Sequence, residues 1–117
     1  MAIKVGTDIV SIKRVEEAIE KFGNKFLDRF LNAEEIESLK KVESIAGYWA
    51  AKEAVAKALG CGIGKELNFK DITIKKNINK APYFELENSN FSIIESSLSI
   101  SHDGGFAIAV VIIVINN

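Results

Sequence analysis

One predicted helix constrains the fold of this chain more than any other feature, because its sequence leaves no continuous polar face. The stretch Ala46–Leu59 is rich in alanine, lacks proline and is followed by Gly60, a residue suited to a helix C-cap. At 100° per residue one side is apolar, and the opposite stripe carries Glu53 and Lys57 among small or apolar residues. We therefore predict a buried central helix, with Ser44 able to cap its N-terminus.

The two charges on this helix need an explanation. Burying a carboxylate or an ammonium is costly unless another group pairs with it. Glu53 and Lys57 could form an ordinary i,i+4 pair, which contributes only about 0.3–0.5 kcal/mol when exposed. They could instead face partners from elsewhere in the fold, and the helix by itself does not decide between these interpretations.

Length and composition bound the class of protein. The 117 residues predict one domain spanning 1–117, large enough to bury a core. Apolar residues make up 48% and charged residues 26%, which is ordinary for a soluble domain, and the net charge of −1 gives no signal for a nucleic-acid partner.

Compartment and membrane association can also be predicted. Cys61 is the single cysteine, which excludes an internal disulfide and suits a reducing cytoplasm. The first ten residues are too short and polar a stretch for a signal peptide. The longest apolar run, Phe106–Ile115, is well below the ~20 residues of a membrane span. We expect a cytoplasmic protein with no membrane partner.

The remaining chain predicts helices and antiparallel strands around the central helix. Alternating apolar and polar residues indicate a strand over Ala2–Val10, with Asp8 near the end of the alternating pattern. A stripe of apolar residues at helical spacing indicates a helix from Ser11 to Phe22. The result is an α+β fold, a single small domain with an antiparallel sheet packed on a long central helix. The other predicted elements are a short helix or packed turn in Asn24–Leu31, a helix from Ala33 to about Lys41 behind a capping box of Asn32 and Glu35, strands at Asp71–Lys76 and Tyr83–Leu86, and a hairpin joining Leu98–His102 to Gly105–Ile115.

The last strand is apolar on both faces. A chain of this length can hardly cover both faces with its own helices, so we infer a subunit interface. His102, the only histidine, lies at the mouth of that hairpin beside Ser101 and Asp103. A lone histidine is more often structural than functional, but this setting is open, polar and suited to contacting a ligand.

Two further stretches could meet a partner or a phosphate. The glycine-rich run after the central helix does not link a strand to a helix, so it fits neither the P-loop nor the dinucleotide fingerprint; the N–H groups of Gly60 and Gly62 could still approach a phosphate. Lys13 and Arg14 lie in the first turn of their helix, where the helix dipole disfavours cations. Such a local conflict sometimes marks a docking surface, which makes these two residues candidates for one.

Three motifs in chain order resemble those of the holo-acyl-carrier-protein synthases, the small, single-domain kind of 4′-phosphopantetheinyl transferase. The resemblance spans nearly the whole chain, and each motif alone is weak. One departure is Tyr48-Trp49, where the family usually has an arginine and a phenylalanine. The motifs are Gly6-Thr7-Asp8-Ile9-Val10, Trp49-Ala50-Ala51-Lys52-Glu53-Ala54 with Lys57, and Ser99-Ile100-Ser101-His102-Asp103.

The resemblance implies a reaction and a metal site. It implies transfer of 4′-phosphopantetheine from coenzyme A to a serine of an apo acyl carrier protein, for fatty acid biosynthesis, with adenosine 3′,5′-bisphosphate as the leaving group. Asp8 and Glu53 would bind Mg²⁺, which commonly uses one or two carboxylates together with substrate phosphates. Lys57 would neutralise phosphoryl charge. The general base is left open between Asp8 and a water held by the metal and a carboxylate.

The resemblance also implies partners. His102 and Ser101 would contact coenzyme A near its phosphates, with Lys57, Gly60 and Gly62 also assigned to coenzyme binding. Arg14, Lys13 and Lys21 would dock the acidic carrier protein. A homotrimer with sites between subunits is expected, in agreement with the two-faced last strand. The alternative is a non-catalytic trimeric module that binds a phosphorylated ligand.

Overall fold

Five strands, four α-helices and one 3₁₀ helix make up the computed structural model, which describes residues 1–116. The bounds agree with an α+β fold and differ from the sequence-based ones mainly at element ends. In chain order the elements are β1 (Ala2–Ser11), α1 (Ile12–Phe22), α2 (Asn24–Phe30), α3 (Ala33–Ser38), α4 (Val42–Ala58), the 3₁₀ helix (Phe69–Asp71), β2 (Ile72–Lys76), β3 (Pro82–Leu86), β4 (Ile93–Asp103) and β5 (Phe106–Ile115).

An antiparallel sheet packs on the central helix, as the sequence predicts. Its strand order is β1-β5-β4, so the apolar β5 is central, while β2 and β3 form a separate antiparallel hairpin. Both β1 and β5 pack against α4. Small residues at this contact, Ala54 of α4 and Ala109 of β5, are fully buried and allow the helix to approach the sheet closely.

The burial of α4 is confirmed, but its start differs from the prediction. The helix begins at Val42, four residues earlier, and its N-cap is Lys41 without a side-chain hydrogen bond. Ser44 is therefore inside the first turn, and its predicted capping role is wrong. The extra turn forms because Val42 and Ile45 pack against a small core cluster around Val15.

The last strand buries one face and exposes the other, as its sequence predicts. Ile108, Val110 and Ile112 are 39%, 40% and 47% exposed. Neighbouring β1 adds Ile3, Val5 and Ile9, which are 74%, 67% and 61% exposed. We call these six residues the outer apolar face. No helix within residues 1–116 is long and apolar enough to cross a membrane.

Candidate active site

Asp8 lies inside a strand, so its predicted place near a strand end is wrong. Strand β1 continues to Ser11 because its pairing with β5 is unbroken, and Asp8 is opposite Ala109. Side chains alternate along a strand, so Asp8 shares a face with the buried Gly6. That face is the one that packs on α4, and the carboxylate is therefore directed towards the central helix.

Lys57 of α4 pairs with Asp8. Its Nζ donates to Asp8 Oδ1 at 2.8 Å and to the carbonyl oxygen of Thr7 at 3.2 Å. The Asp8 side chain is 14% exposed and the Lys57 side chain 50%. The hydrogen bond to Asp8 raises the pKa of Lys57, so the ammonium form is favoured at neutral pH. Among the described residues Lys57 makes no salt bridge to Glu53, so the ordinary i,i+4 pair is not the arrangement found.

Glu53 completes a group of two carboxylates and one ammonium. Burial raises the pKa of Glu53, and the charge of Asp8 raises it further, while Lys57 opposes both effects. The negative charge of ionised Glu53 is thus only partly balanced by the positive charge of Lys57. A divalent cation shared by the two carboxylates would relieve that repulsion.

The donor set fits Mg²⁺ better than a metal that prefers nitrogen or sulfur ligands. Within residues 1–116 no group of three or more histidine, cysteine, aspartate or glutamate side chains is arranged so that it could hold a metal ion. Two carboxylates without further protein ligands match the usual Mg²⁺ site, in which substrate phosphates and waters fill the remaining positions.

A buried ion pair on another side of α4 was missed by the sequence analysis. Lys52 Nζ donates to Glu35 Oε1 at 2.8 Å, and both side chains are fully buried. The capping box of Asn32 and Glu35 is confirmed, so the same carboxylate also caps α3. The signal was present in the sequence, since Lys52 is a third charge on a helix predicted to be buried.

His102 lies apart from the Asp8 group. It lines a cavity of about 180 Å³ together with Lys76, Lys80, Glu43 and Tyr48. Two ammonium groups thus face one carboxylate at this opening, beside the imidazole, and the excess positive charge suits an anionic ligand. Sequence reasoning singled out neither lysine as a site residue. None of the three site residues Asp8, Glu53 and Lys57 lines this cavity.

Ser101 and His102 are on opposite faces of β4. His102 pairs with the buried Ala107, whereas Ser101 pairs with Ile108 of the outer apolar face. The structure therefore does not bring these two predicted coenzyme contacts together within one chain.

The glycine-rich loop caps α4. The N–H of Gly60 donates to Lys57 O at 3.0 Å, and the N–H of Gly62 donates to Ala56 O at 3.2 Å. Because these donors are already engaged, the expectation that they approach a phosphate is not supported in this structure. Both residues have positive φ, which explains glycine at these positions.

The basic residues of α1 are exposed, but they do not form one cluster. Arg14 and Lys21 are seven residues apart and share a helix face, while Lys13 is rotated about 100° away towards Glu17 and Glu20. Arg14 and Lys21 are thus the stronger candidates for a shared docking surface.

Comparison with known proteins finds relatives over nearly the whole chain. The family model described as the 4′-phosphopantetheinyl transferase superfamily matches residues 4–111. A holo-[acyl-carrier-protein] synthase of a Sulfurovum species is 57% identical over 111 residues, which cover 92% of this chain and 93% of the relative.

Solved structures are similar over the same span. The Helicobacter pylori holo-[acyl-carrier-protein] synthase, in complex with coenzyme A, has a TM-score of 0.88 and 50% identity, covering 94% of this chain and 99% of that chain. The Neisseria meningitidis synthase has a TM-score of 0.83 and 34% identity, covering 94% and 96% of the two chains.

Proposed function

The chain belongs to the 4′-phosphopantetheinyl transferase superfamily, and on that premise we propose that Asp8, Glu53 and Lys57 are its catalytic group. The protein is a holo-[acyl-carrier-protein] synthase, which transfers 4′-phosphopantetheine from coenzyme A to a serine of apo acyl carrier protein. The observation that carries the residue assignment is the junction of β1 and α4. There two carboxylates and one ammonium meet at the contact of strand and helix.

The reaction breaks one phosphoryl–oxygen bond and forms another. The serine hydroxyl oxygen bonds to the phosphorus that carries pantetheine, the serine proton goes to a base, and adenosine 3′,5′-bisphosphate leaves. We assign Asp8 and Glu53 as ligands of Mg²⁺, which when bound would supply electrophilic stabilisation of phosphoryl oxygens.

Lys57 is assigned to charge neutralisation. Its Nζ donates to Asp8 Oδ1 and to Thr7 O. Its half-exposed ammonium is placed to neutralise charge that develops on the leaving oxygen. The base that takes the serine proton is either Asp8 or a water held by the metal and a carboxylate.

The cavity beside His102 is assigned to a phosphate of coenzyme A, because Lys76 and Lys80 bring more positive charge to it than Glu43 offsets. The outer apolar face supports a homotrimer, since a monomer would leave these strand residues in water. His102 would then serve the site of a neighbouring subunit. Ser101 belongs to this proposal as a residue at the subunit boundary.

The exposed basic residues of α1 are assigned to carrier docking. Arg14 and Lys21, with Lys13 nearby, would bind the acidic carrier protein. The single cysteine supports a cytoplasmic location.

The direct test is mass spectrometry of apo acyl carrier protein after incubation with coenzyme A and Mg²⁺. The synthase adds the mass of phosphopantetheine to the carrier, whereas a non-catalytic binding module leaves the mass unchanged. We expect Asp8→Ala and Glu53→Ala to abolish the mass change while thermal unfolding stays cooperative. Near-normal activity of either variant at low Mg²⁺ would contradict the metal assignment.

A further inference from the structure

Three consecutive residues of α4 face three different parts of the molecule. Successive helix positions are 100° apart, so residues 52 and 54 point to nearly opposite sides of α4, with Glu53 between them. Lys52 is directed to the layer of α2, α3 and β2, and the backbone at Ala54 lies against β1. Glu53 is thus carried by the part of the helix that is held from both sides.

On the sheet side the contact is made by Gly6. A methyl group at Gly6 would overlap the carbonyl oxygen of Ala54 and lie 2.8 Å from the N atom of Ala58. No other residue fits this position without moving α4 away from β1. Gly6 precedes Asp8 by two residues on the same face of the strand. A change in this contact therefore changes the distance between Asp8 and the helix that carries Glu53.

On the opposite side Lys52 fixes the helix. Its Nζ donates to Phe30 O at 2.6 Å, to Glu35 Oε1 at 2.8 Å and to Phe69 O at 3.1 Å, so all three N–H donors are used. The second carboxylate oxygen of Glu35 accepts from the N–H of Ile74 at 2.8 Å. The pair is fully buried, which makes its geometry costly to disturb.

We infer that Gly6 and the Lys52–Glu35 pair are positioning residues that set the spacing of the Asp8 and Glu53 carboxylates, and with it the size of the cation that the site prefers. This inference rests on the proposed metal site. Mg²⁺ requires nearly ideal octahedral geometry with oxygen ligands at about 2.0–2.1 Å, whereas Ca²⁺ accepts irregular ligands at about 2.3–2.6 Å. A close, rigid approach of strand and helix favours the smaller ion, and a widened or loosened approach favours the larger one.

The test measures cation preference without catalysis. Mn²⁺ binding to the full-length protein is followed by electron paramagnetic resonance, and Mg²⁺ or Ca²⁺ is added as a competitor. Gly6→Ala should lower the preference for Mg²⁺ over Ca²⁺ by about tenfold, the scale expected when groups that orient metal ligands are changed. The double variant Glu35→Gln with Lys52→Met removes the opposite contact without leaving a lone buried charge, and should lower the same ratio.

Controls separate this inference from general destabilisation and from the metal site itself. Phe84→Leu, a core substitution on β3 outside both contacts, should keep the wild-type ratio; Trp49 fluorescence reports folding in every variant. If Gly6→Ala does not fold, the double variant decides. A folded double variant with the wild-type Mg²⁺ to Ca²⁺ ratio overturns the positioning role. Unchanged Mn²⁺ binding in Asp8→Asn overturns the metal site and the inference together.

Discussion

At the scale of single residues, the two lysines on α4 differ in surroundings although they are five positions apart. Lys52 is fully buried and paired with Glu35, whereas Lys57 is half exposed and paired with Asp8. The first pair holds elements together, because removing one partner of a buried pair leaves an uncompensated charge. The second belongs to the site, where an exposed pair contributes little stability.

These surroundings predict opposite consequences for the same substitution. Lys52→Met should lower the free energy of unfolding by about 3–5 kcal/mol. Lys57→Met should lower it by less than about 1 kcal/mol but should remove most activity. Urea denaturation followed by Trp49 fluorescence, at one protein concentration, measures the first quantity. Equal destabilisation by both substitutions would contradict the buried pair.

Glu53 predicts a pH effect on the metal-free protein. Because burial and Asp8 raise its folded pKa above the unfolded value, ionised Glu53 destabilises the folded state. This destabilisation is fully present above the folded pKa and disappears as pH falls through that pKa towards the unfolded one. In EDTA, Glu53→Gln should therefore raise the melting temperature at pH 7 and leave it nearly unchanged at low pH. A lower melting temperature at pH 7 would show that Glu53 is already well compensated.

At the scale of elements, α1 combines a structural face with a charged one. The Ser11 side chain accepts from the N–H of Arg14 as N-cap, so the helix starts one residue later than the sequence predicts, and Gly23 is its C-cap residue. Val15 packs inward, while Arg14 and Lys21 remain exposed on the outside. Helix α1 thus presents exposed basic side chains while its opposite face is packed against the core.

Arg14→Glu should weaken binding of apo acyl carrier protein much more than binding of coenzyme A. The defect should shrink at high salt, because screening weakens interactions between surface charges. Lys70→Glu, an exposed position on the 3₁₀ helix, makes the same change in net charge and is the control. Calorimetric titration of both variants at low salt gives the comparison, and unchanged carrier affinity in Arg14→Glu would exclude α1 as the docking element.

At the scale of the whole molecule, the outer apolar face requires cover that this chain does not provide. Three residues of β5 and three of β1 form it, and the strands carrying them are paired along their length. The face is therefore continuous across the two strands, as expected of a subunit interface. It is also close in sequence to the hairpin that carries His102.

Val110→Arg should convert the assembly to monomers and abolish activity, because it places a charge in the centre of this face. Ile78→Arg is the matched control, since Ile78 is 96% exposed at the turn between β2 and β3. Sedimentation velocity should show the wild-type assembly for the control only. A wild-type protein that is already monomeric would refute the interface.

If His102 serves a neighbouring subunit, two inactive variants should complement each other. Asp8→Ala and His102→Ala, refolded together, form some interfaces in which both sides are intact. Activity should return to a fraction set by random mixing, measured as carrier modification by mass spectrometry. Mixed assemblies as inactive as either parent would place both residues in one subunit's site.

The sequence by itself determined which elements are buried. The central helix is apolar nearly all round when its residues are plotted at 3.6 per turn, which was enough to predict that α4 is buried. The last strand is apolar on both faces, which was enough to indicate an uncovered surface. These properties depend on residues that are neighbours along the chain, and local periodicity encodes them. The motifs were also readable, so the family and the residues Asp8, Glu53 and Lys57 could be proposed from sequence.

Only the tertiary structure decided which charges meet. Lys57 pairs with Asp8, 49 positions away, and not with Glu53 one turn away. Lys52 pairs with Glu35, 17 positions away, and also donates to the backbone carbonyl oxygens of Phe30 and Phe69. A helical spacing fixes the side on which a charge emerges, but its partner is chosen by the elements that pack there. For Lys57 that choice follows from the close approach of β1 to α4 at Gly6, a contact between segments about 50 residues apart that no local pattern contains.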